Sequence, residues 1–173
     1  MEAVTSSQTP HRGGQAATVT LPTDEQILIT REFAAPKHLV YRAFTEPDLV
    51  RQWWTAKRGD MKICEIDLRV GGKWRYVMET PDGMEVGFHG EYREIEPNER
   101  IVSTEIFEGM PEGVAEEASV NTATFTEEDG RTTLEILVQH SNKQFRDMHV
   151  ESGMEDGLQD ALDLLEEVAV SIG

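Results

Sequence analysis

Two short spacings in this chain bring chemically competent side chains within reach of one another. His89 and Glu91 stand two apart in an alternating run, 85–95, so a strand carries both on one face, where a carboxylate can orient an imidazole for general-base work. The same alternation adds Arg93 and makes that face the polar one, which favours a surface ion pair over catalysis. Cys64, the single cysteine, falls with Ile66, Leu68 and Val70 on the apolar face of 61–70 and reads as a small buried hydrophobe, not a nucleophile. His11 lies in the N-terminal stretch, His38 in a first helix, and His140 and His149 are nine apart across a strand-to-helix junction. No His-X-His, His-Glu-X-X-His or Cys-X-X-Cys pattern offers a metal site, and no Gly-X-Ser-X-Gly elbow offers a nucleophile. Gly71-Gly72 and the glycines of 109–113 lack the Lys-Ser/Thr of a phosphate cradle. The sequence therefore predicts no catalytic residue, no metal and no cofactor.

The elements that must position these side chains follow from periodicity and turn chemistry. Residues 26–33 alternate as a strand that stops at Ala35-Pro36, and Pro36 then opens a helix holding Leu39, Val40, Ala43 and Phe44. Glu46-Pro47 starts a second short helix with Leu49, Val50, Trp53 and Trp54. Strands are predicted over 61–70, 73–79, 85–95, 100–107, 120–126 and 131–139, separated by Gly71-Gly72, Thr80-Pro81-Asp82-Gly83, Pro97-Asn98, a longer loop and Glu128-Asp129-Gly130. Links this short make an antiparallel meander, because parallel neighbours need a crossover of a dozen or more residues. Met154, Leu158, Ala161, Leu162, Leu165 and Ala169 then recur at steps of three and four in one long amphipathic helix. The order is α+β, with that helix packed on one sheet face.

Composition narrows the partners. Lys+Arg number 16 against 33 Asp+Glu, a net charge of -17, which repels nucleic acid and anionic membrane surfaces. One cysteine cannot form an internal disulfide or a thiolate cluster. Residues 1–23 are polar and read as a flexible tail, and 24–173 as a single domain. Neither a signal-peptide core nor a run of the roughly 20 apolar residues needed to cross a bilayer is visible, so a cytoplasmic protein without membrane insertion is expected. Asp160, Asp163, Glu166 and Glu167 flank the final apolar stripe and are expected on a solvated outer face.

The segments WW at 53–54, CEIDLRVGGKWRYVMETPDG at 64–83, FHGEYREIEPNERIVSTEIF at 88–107 and SGMEDGLQDALDLLEEV at 152–168 resemble the bacterial branch of the activator of Hsp90 ATPase homologue family, within the START/Bet v 1-like (SRPBCC) superfamily. The resemblance implies a helix-grip fold: a curved antiparallel sheet closed over a long C-terminal helix, enclosing a hydrophobic pocket. It directs attention to a ligand cavity lined by Trp53, Trp54, Trp74, Tyr76, Met78, Phe88, Tyr92, Phe107, Met154 and Leu158. Many bacterial relatives have Trp where this chain has Leu158. Aromatic stripes are core packing first, and large aromatics with polar tips also suit an apolar ligand with one hydrogen-bonding group. Gly153 and Gly157, four apart in the final helix, imply either close approach of the sheet, the favoured reading, or space for a ligand. The loop 108–118, with Met110 and Pro111, is a candidate gate.

The resemblance implies binding of a small hydrophobic molecule, by a monomer or homodimer, without established chemistry. A chaperone-assisting module and a cyclase-like enzyme acting on an aromatic or polyketide-like substrate are its alternatives. Only a short polar tail precedes the domain here, where the eukaryotic cochaperones of the family carry a further N-terminal domain that contacts the chaperone.

Overall fold

The computed structural model describes residues 16–109 and 117–173. The sequence-predicted gate residues Met110 and Pro111 lie outside the described residues. Eight strands form one antiparallel sheet: β1 (Thr18–Thr20), β2 (Gln26–Phe33), β3 (Asp60–Ile66), β4 (Lys73–Glu79), β5 (Glu85–Glu96), β6 (Arg100–Phe107), β7 (Ala118–Glu128) and β8 (Arg131–Gln139). Their order across the sheet is β1-β2-β8-β7-β6-β5-β4-β3. Helices α1 (Lys37–Thr45) and α2 (Pro47–Val50) carry the chain from β2 to β3 at the far side, and α3 (Lys143–Glu151) and α4 (Met154–Ser171) close it.

The predicted meander from β3 to β8 is present, with bulges between Met61 and Ile63 and between Tyr92 and Glu94 that locally increase bend and twist. Three details differ from the sequence expectation. The sheet begins at Thr18, inside the stretch read as a tail. Ala17 is buried there, and its backbone exchanges two 2.9 Å hydrogen bonds with the Gln159 side chain. Strand β3 ends at Ile66, because Asp67, Arg69 and Gly72 form a tight turn, so Leu68 and Val70 are exposed. The final helical region is broken in two: Gly153 adopts φ 84° between α3 and α4, a left-handed conformation that glycine enters without a Cβ penalty.

Inward positions of the sheet pack on α4. Ile27, Ile29, Arg31 and Phe33 of β2 and Thr132, Leu134 and Val138 of β8 are all buried. Phe125 of β7 takes the rings of Tyr41 and Phe44 edge-on at 5.4 and 5.6 Å. Arg31 is the largest fully buried side chain. Its guanidinium donates to Asp163 at 2.8 Å and to Glu166 at 2.9 Å, and the other Glu166 oxygen accepts the Ala34 amide at 2.7 Å. Glu166 is 3% exposed, so it belongs to the interior and not to the solvated face predicted for it, and Asp163 is drawn to the same cation. Periodicity alone could not show this, because the partner lies more than 130 residues away.

Breaking one side of this pair strands a buried charge, which costs about 3–5 kcal/mol, whereas exchanging both partners for apolar groups is often close to neutral. Glu166→Ala should therefore lower stability by about 3–5 kcal/mol in urea denaturation. The triple variant Arg31→Met/Asp163→Asn/Glu166→Met, which removes the cation together with both of its carboxylate partners, should recover most of that loss. A triple variant as unstable as the sum of the singles would show that the cluster acts through something other than its charges.

Candidate functional site

Between the other half of the sheet and the first turns of α4, the inward side chains are aromatic. Trp54 stands edge-on to Tyr76 and Phe88, with ring centroids 5.3 and 5.8 Å apart, and Trp74 tilts against Tyr76 at 4.8 Å. Gly90 makes this wall possible. A Cβ there would lie 1.8 Å from the Thr104 carbonyl oxygen and 2.6 Å from Trp74 Nε1, so only glycine lets the indole cross β5. The indole N–H then donates to that carbonyl at 3.2 Å. The ring thus lies flat on the sheet instead of standing into the interior.

The inward face of β6 and β7 is polar. Register pairs Ser103 with Asn121 and Glu105 with Ser119, so all four point the same way. Asn121 Nδ2 donates to Glu105 at 2.9 Å, while Asn121 Oδ1 is buried without a hydrogen-bond partner. Burial pushes the Glu105 carboxyl above the usual carboxylate range, against smaller opposing effects of Asn121 and His140. The phenol of Tyr76 is likewise pushed well up, mainly by burial and then by the neighbouring Tyr92, Cys64 and Glu105, which keeps it protonated.

Beyond Glu105 a chain of side chains closes this end. His140 Nδ1 is 2.8 Å from a Glu117 carboxylate oxygen, and His140 Nε2 is 3.0 Å from His149 Nδ1. Desolvation, then the neighbouring His140, lowers the His149 pKa to about 4, so its ring is neutral at physiological pH. Both nitrogens of His140 are engaged. The trio therefore ties the end of β8 to α3 and to residue 117 and leaves His140 no nitrogen to offer a substrate.

Gly157 lies on the α4 stripe with Met154, Leu158 and Ala161, yet a Cβ built on it meets no atom of the described residues within 4 Å. The reading of close sheet approach at Gly157 is thus overturned, and Gly153 serves the helix break. Trp54, Tyr76, Phe88, Glu105, Asn121, Met154 and Leu158 are all only partly buried, and the apolar ones among them pack against the core. A separate groove of about 400 Å³ lies on the opposite face of the sheet, over Leu28, Thr122, Thr124, Glu135 and Leu137. It shares no residue with the interior.

The sequence-predicted lining divides accordingly. Trp54, Tyr76 and Phe88 form one aromatic cluster backed by Trp74, while Met154 and Leu158 are partly buried on the first turns of α4. Phe107 packs on Phe88 at 5.2 Å and is 39% exposed at the rim. Met78 lies further along β4, opposite Met61. Tyr92 is buried, with burial and the nearby Tyr41 hydroxyl raising its pKa. Trp53 is core: its indole donates to the Ala43 carbonyl at 2.8 Å and stacks on Phe44. His89 joins Arg75 on Glu108, a surface ion pair, and Cys64 is buried with a raised thiol pKa. Glu105, Asn121 and the Glu117–His140–His149 chain had not been singled out as a site. Apolar residues stand on both faces of 100–107, which hides which face carries Glu105.

Residues 34–169 match the family described as Activator of Hsp90 ATPase homolog 1-like protein. The chain belongs to that family. Its fold recurs in solved structures. A protein from Rhodobacter sphaeroides superposes with a TM-score of 0.81 at 22% identity, covering 90% of this chain and 99% of the other. One from Nitrosomonas europaea gives 0.76 at 25% identity, covering 88% and 98%, and one from Chromobacterium violaceum 0.71 at 26%, covering 85% and 98%. No curated protein matches the sequence significantly. These likenesses establish the Bet v 1-like helix-grip fold for this member of the Hsp90-activator-like family. Among the described residues, no group of His, Cys, Asp and Glu could hold a metal, and no helix is long and apolar enough to cross a membrane.

Glu105 bears on stability with a definite sign. Its folded-state pKa exceeds the ordinary value of 4.5, so its contribution is most favourable below about pH 4.5 and declines as pH rises through the folded pKa. Glu105→Gln, which keeps the shape and cannot ionise, should melt a few degrees above the wild type at pH 7.5. The difference should close at pH 4. A wild type at least as stable as the variant at pH 7.5 would show that the carboxylate is well solvated or paired.

Proposed function

We propose that this member of the Hsp90-activator-like family binds a small, mostly apolar molecule with one polar group, held between sheet and α4. What supports this reading is that the unpartnered Asn121 oxygen and the Glu105 carboxyl face the same side of the sheet as the aromatic wall, with a Gly157 on α4 at which an added Cβ meets no described atom within 4 Å. Aromatic side chains supply most of the contact area a ligand needs, and a few converging polar atoms fix its orientation. A glycine costs about 1 kcal/mol relative to alanine inside a helix, so vacancy at residue 157 is retained against local propensity. Among the described residues, both nitrogens of His140 are taken, by Glu117 and His149, so that imidazole is not open to a ligand. A second reading, assistance to an Hsp90-type chaperone, rests on the family match over residues 34–169.

Filling the space tests the first reading. Gly157→Phe should fold with stability within about 1 kcal/mol of the wild type, since no described atom opposes the new side chain and helix propensity improves. Native mass spectrometry of protein purified from expressing cells should show a bound small molecule on the wild type and none on Gly157→Phe. Retention of the molecule by the folded variant, or an empty wild type that also fails to take up 2-phenylethanol, would refute the interior site. Stimulation of an Hsp90-type ATPase equally by wild type and Gly157→Phe would instead support the chaperone reading.

A further inference from the structure

Of the polar groups that face the interior, the hydroxyls of Ser103 and Tyr76 can donate or accept, whereas the unmet oxygens of the Glu105–Asn121 pair only accept. Asn121 commits one Nδ2 hydrogen to one oxygen of Glu105, and Asn121 Oδ1 is buried without a partner. Among the described residues the second Glu105 oxygen has no hydrogen bond and the carboxyl no ion pair. A ligand that fills these two oxygens must bring donors.

The nearby cations of the described residues are already paired. His140, the smallest of the effects on the Glu105 carboxyl, is bound to Glu117; Arg31, a fully buried guanidinium, is consumed by Asp163 and Glu166, and Arg58 pairs with Asp160 at the surface. His149 stays neutral, and Glu117 adds a further negative charge behind His140. The faces of Trp54, Tyr76 and Phe88 complete the boundary, and an ammonium over such faces gains about 0.5–2 kcal/mol when desolvated. A carboxylate or phosphate headgroup, in contrast, would meet acceptors and negative charge.

Resting on the reading that this interior binds a ligand, we propose that its ligand class is the amphiphilic amine: a protonated primary amine on an aromatic or short aliphatic body. The ammonium sits between Glu105 and Asn121 Oδ1, donating to both, and the body lies against the aromatic wall. Three donors on one small head answer two converging acceptors, with one left for the Tyr76 hydroxyl oxygen. The desolvated carboxyl gains the counter-charge that the protein itself withholds, and this selects against fatty acids and other anionic amphiphiles.

Calorimetric titration with three compounds that share a phenylalkyl body tests the assignment: 2-phenylethylamine, 2-phenylethanol and 3-phenylpropionate. The amine should bind at least tenfold more tightly than the alcohol, and the anion most weakly. In Glu105→Gln the amine-to-alcohol ratio should collapse to about one, with Asn121→Leu giving a smaller reduction, and both variants checked for folding by circular dichroism. Anion binding equal to that of the amine, or an unchanged ratio in folded Glu105→Gln, overturns the amine assignment. Should the alcohol bind in a Gly157→Phe-sensitive manner without preference for the amine, the interior site stands and the amine class falls. Binding of none of the three overturns both.

Discussion

The buried cluster of Arg31, Asp163 and Glu166 sets where the last helix lies, and the interior follows from that placement. Two carboxylates on successive turns of α4 grip one guanidinium from the middle of β2, and the Ala34 amide locks the second Glu166 oxygen. Such a cluster has a narrow geometry, because a guanidinium and a carboxylate in a dry interior tolerate little displacement before a charge is left unpaired. The C-terminal part of α4 is accordingly pressed home: Ala161, Leu162, Leu165, Val168 and Ala169 are all buried. Its first turns are not, with Met154, Gly157 and Leu158 only partly covered. The helix is thus held firmly at its C-terminal end and packs more loosely at its first turns.

The interior has two kinds of wall because two kinds of strand border it. On β4 and β5, Gly90 lets Trp74 lie flat and back the rings of Tyr76, Phe88 and Trp54. On β6 and β7, Glu105 and Asn121 project from adjacent strands into the same region, closed at the far end by the hydrogen-bonded run from Glu117 through His140 to His149. An ionisable group held without a counter-ion in such surroundings is a stability cost. Folded proteins tolerate that cost chiefly where a ligand or reaction makes use of the group.

Much of the scaffold is legible in the sequence because strands and turns are local. Alternation in 73–79 and 85–95, the Pro-Asp-Gly turn at 81–83 and the Asp-Gly turn at 129–130 each depend on backbone preferences within a few residues. The aromatic wall is legible for the same reason: Trp74 and Tyr76 share a face by strand period, and Phe88 is the cross-strand partner of Tyr76. The polar end is not. Ile101, Ser103, Glu105 and Phe107 form one face and Val102, Thr104 and Ile106 the other, and both are apolar enough to be the inner one. Gly153 and Gly157 look equivalent in sequence, yet one ends a turn at positive φ and the other borders empty space.

By itself, then, the sequence determined the α+β order, the antiparallel meander and the apolar stripe of α4, together with an excess of 33 Asp+Glu over 16 Lys+Arg. Those properties arise from short-range periodicity and from composition, which need no knowledge of distant neighbours. Only the tertiary structure decided that Arg31 meets Glu166, that Glu105 points inward beside Asn121, and that both nitrogens of His140 are taken, by Glu117 and His149. Each of those outcomes is a meeting of elements far apart in the chain. Their energetics are governed by desolvation and by which partner completes a hydrogen bond, quantities that exist only after the helix has closed on the sheet.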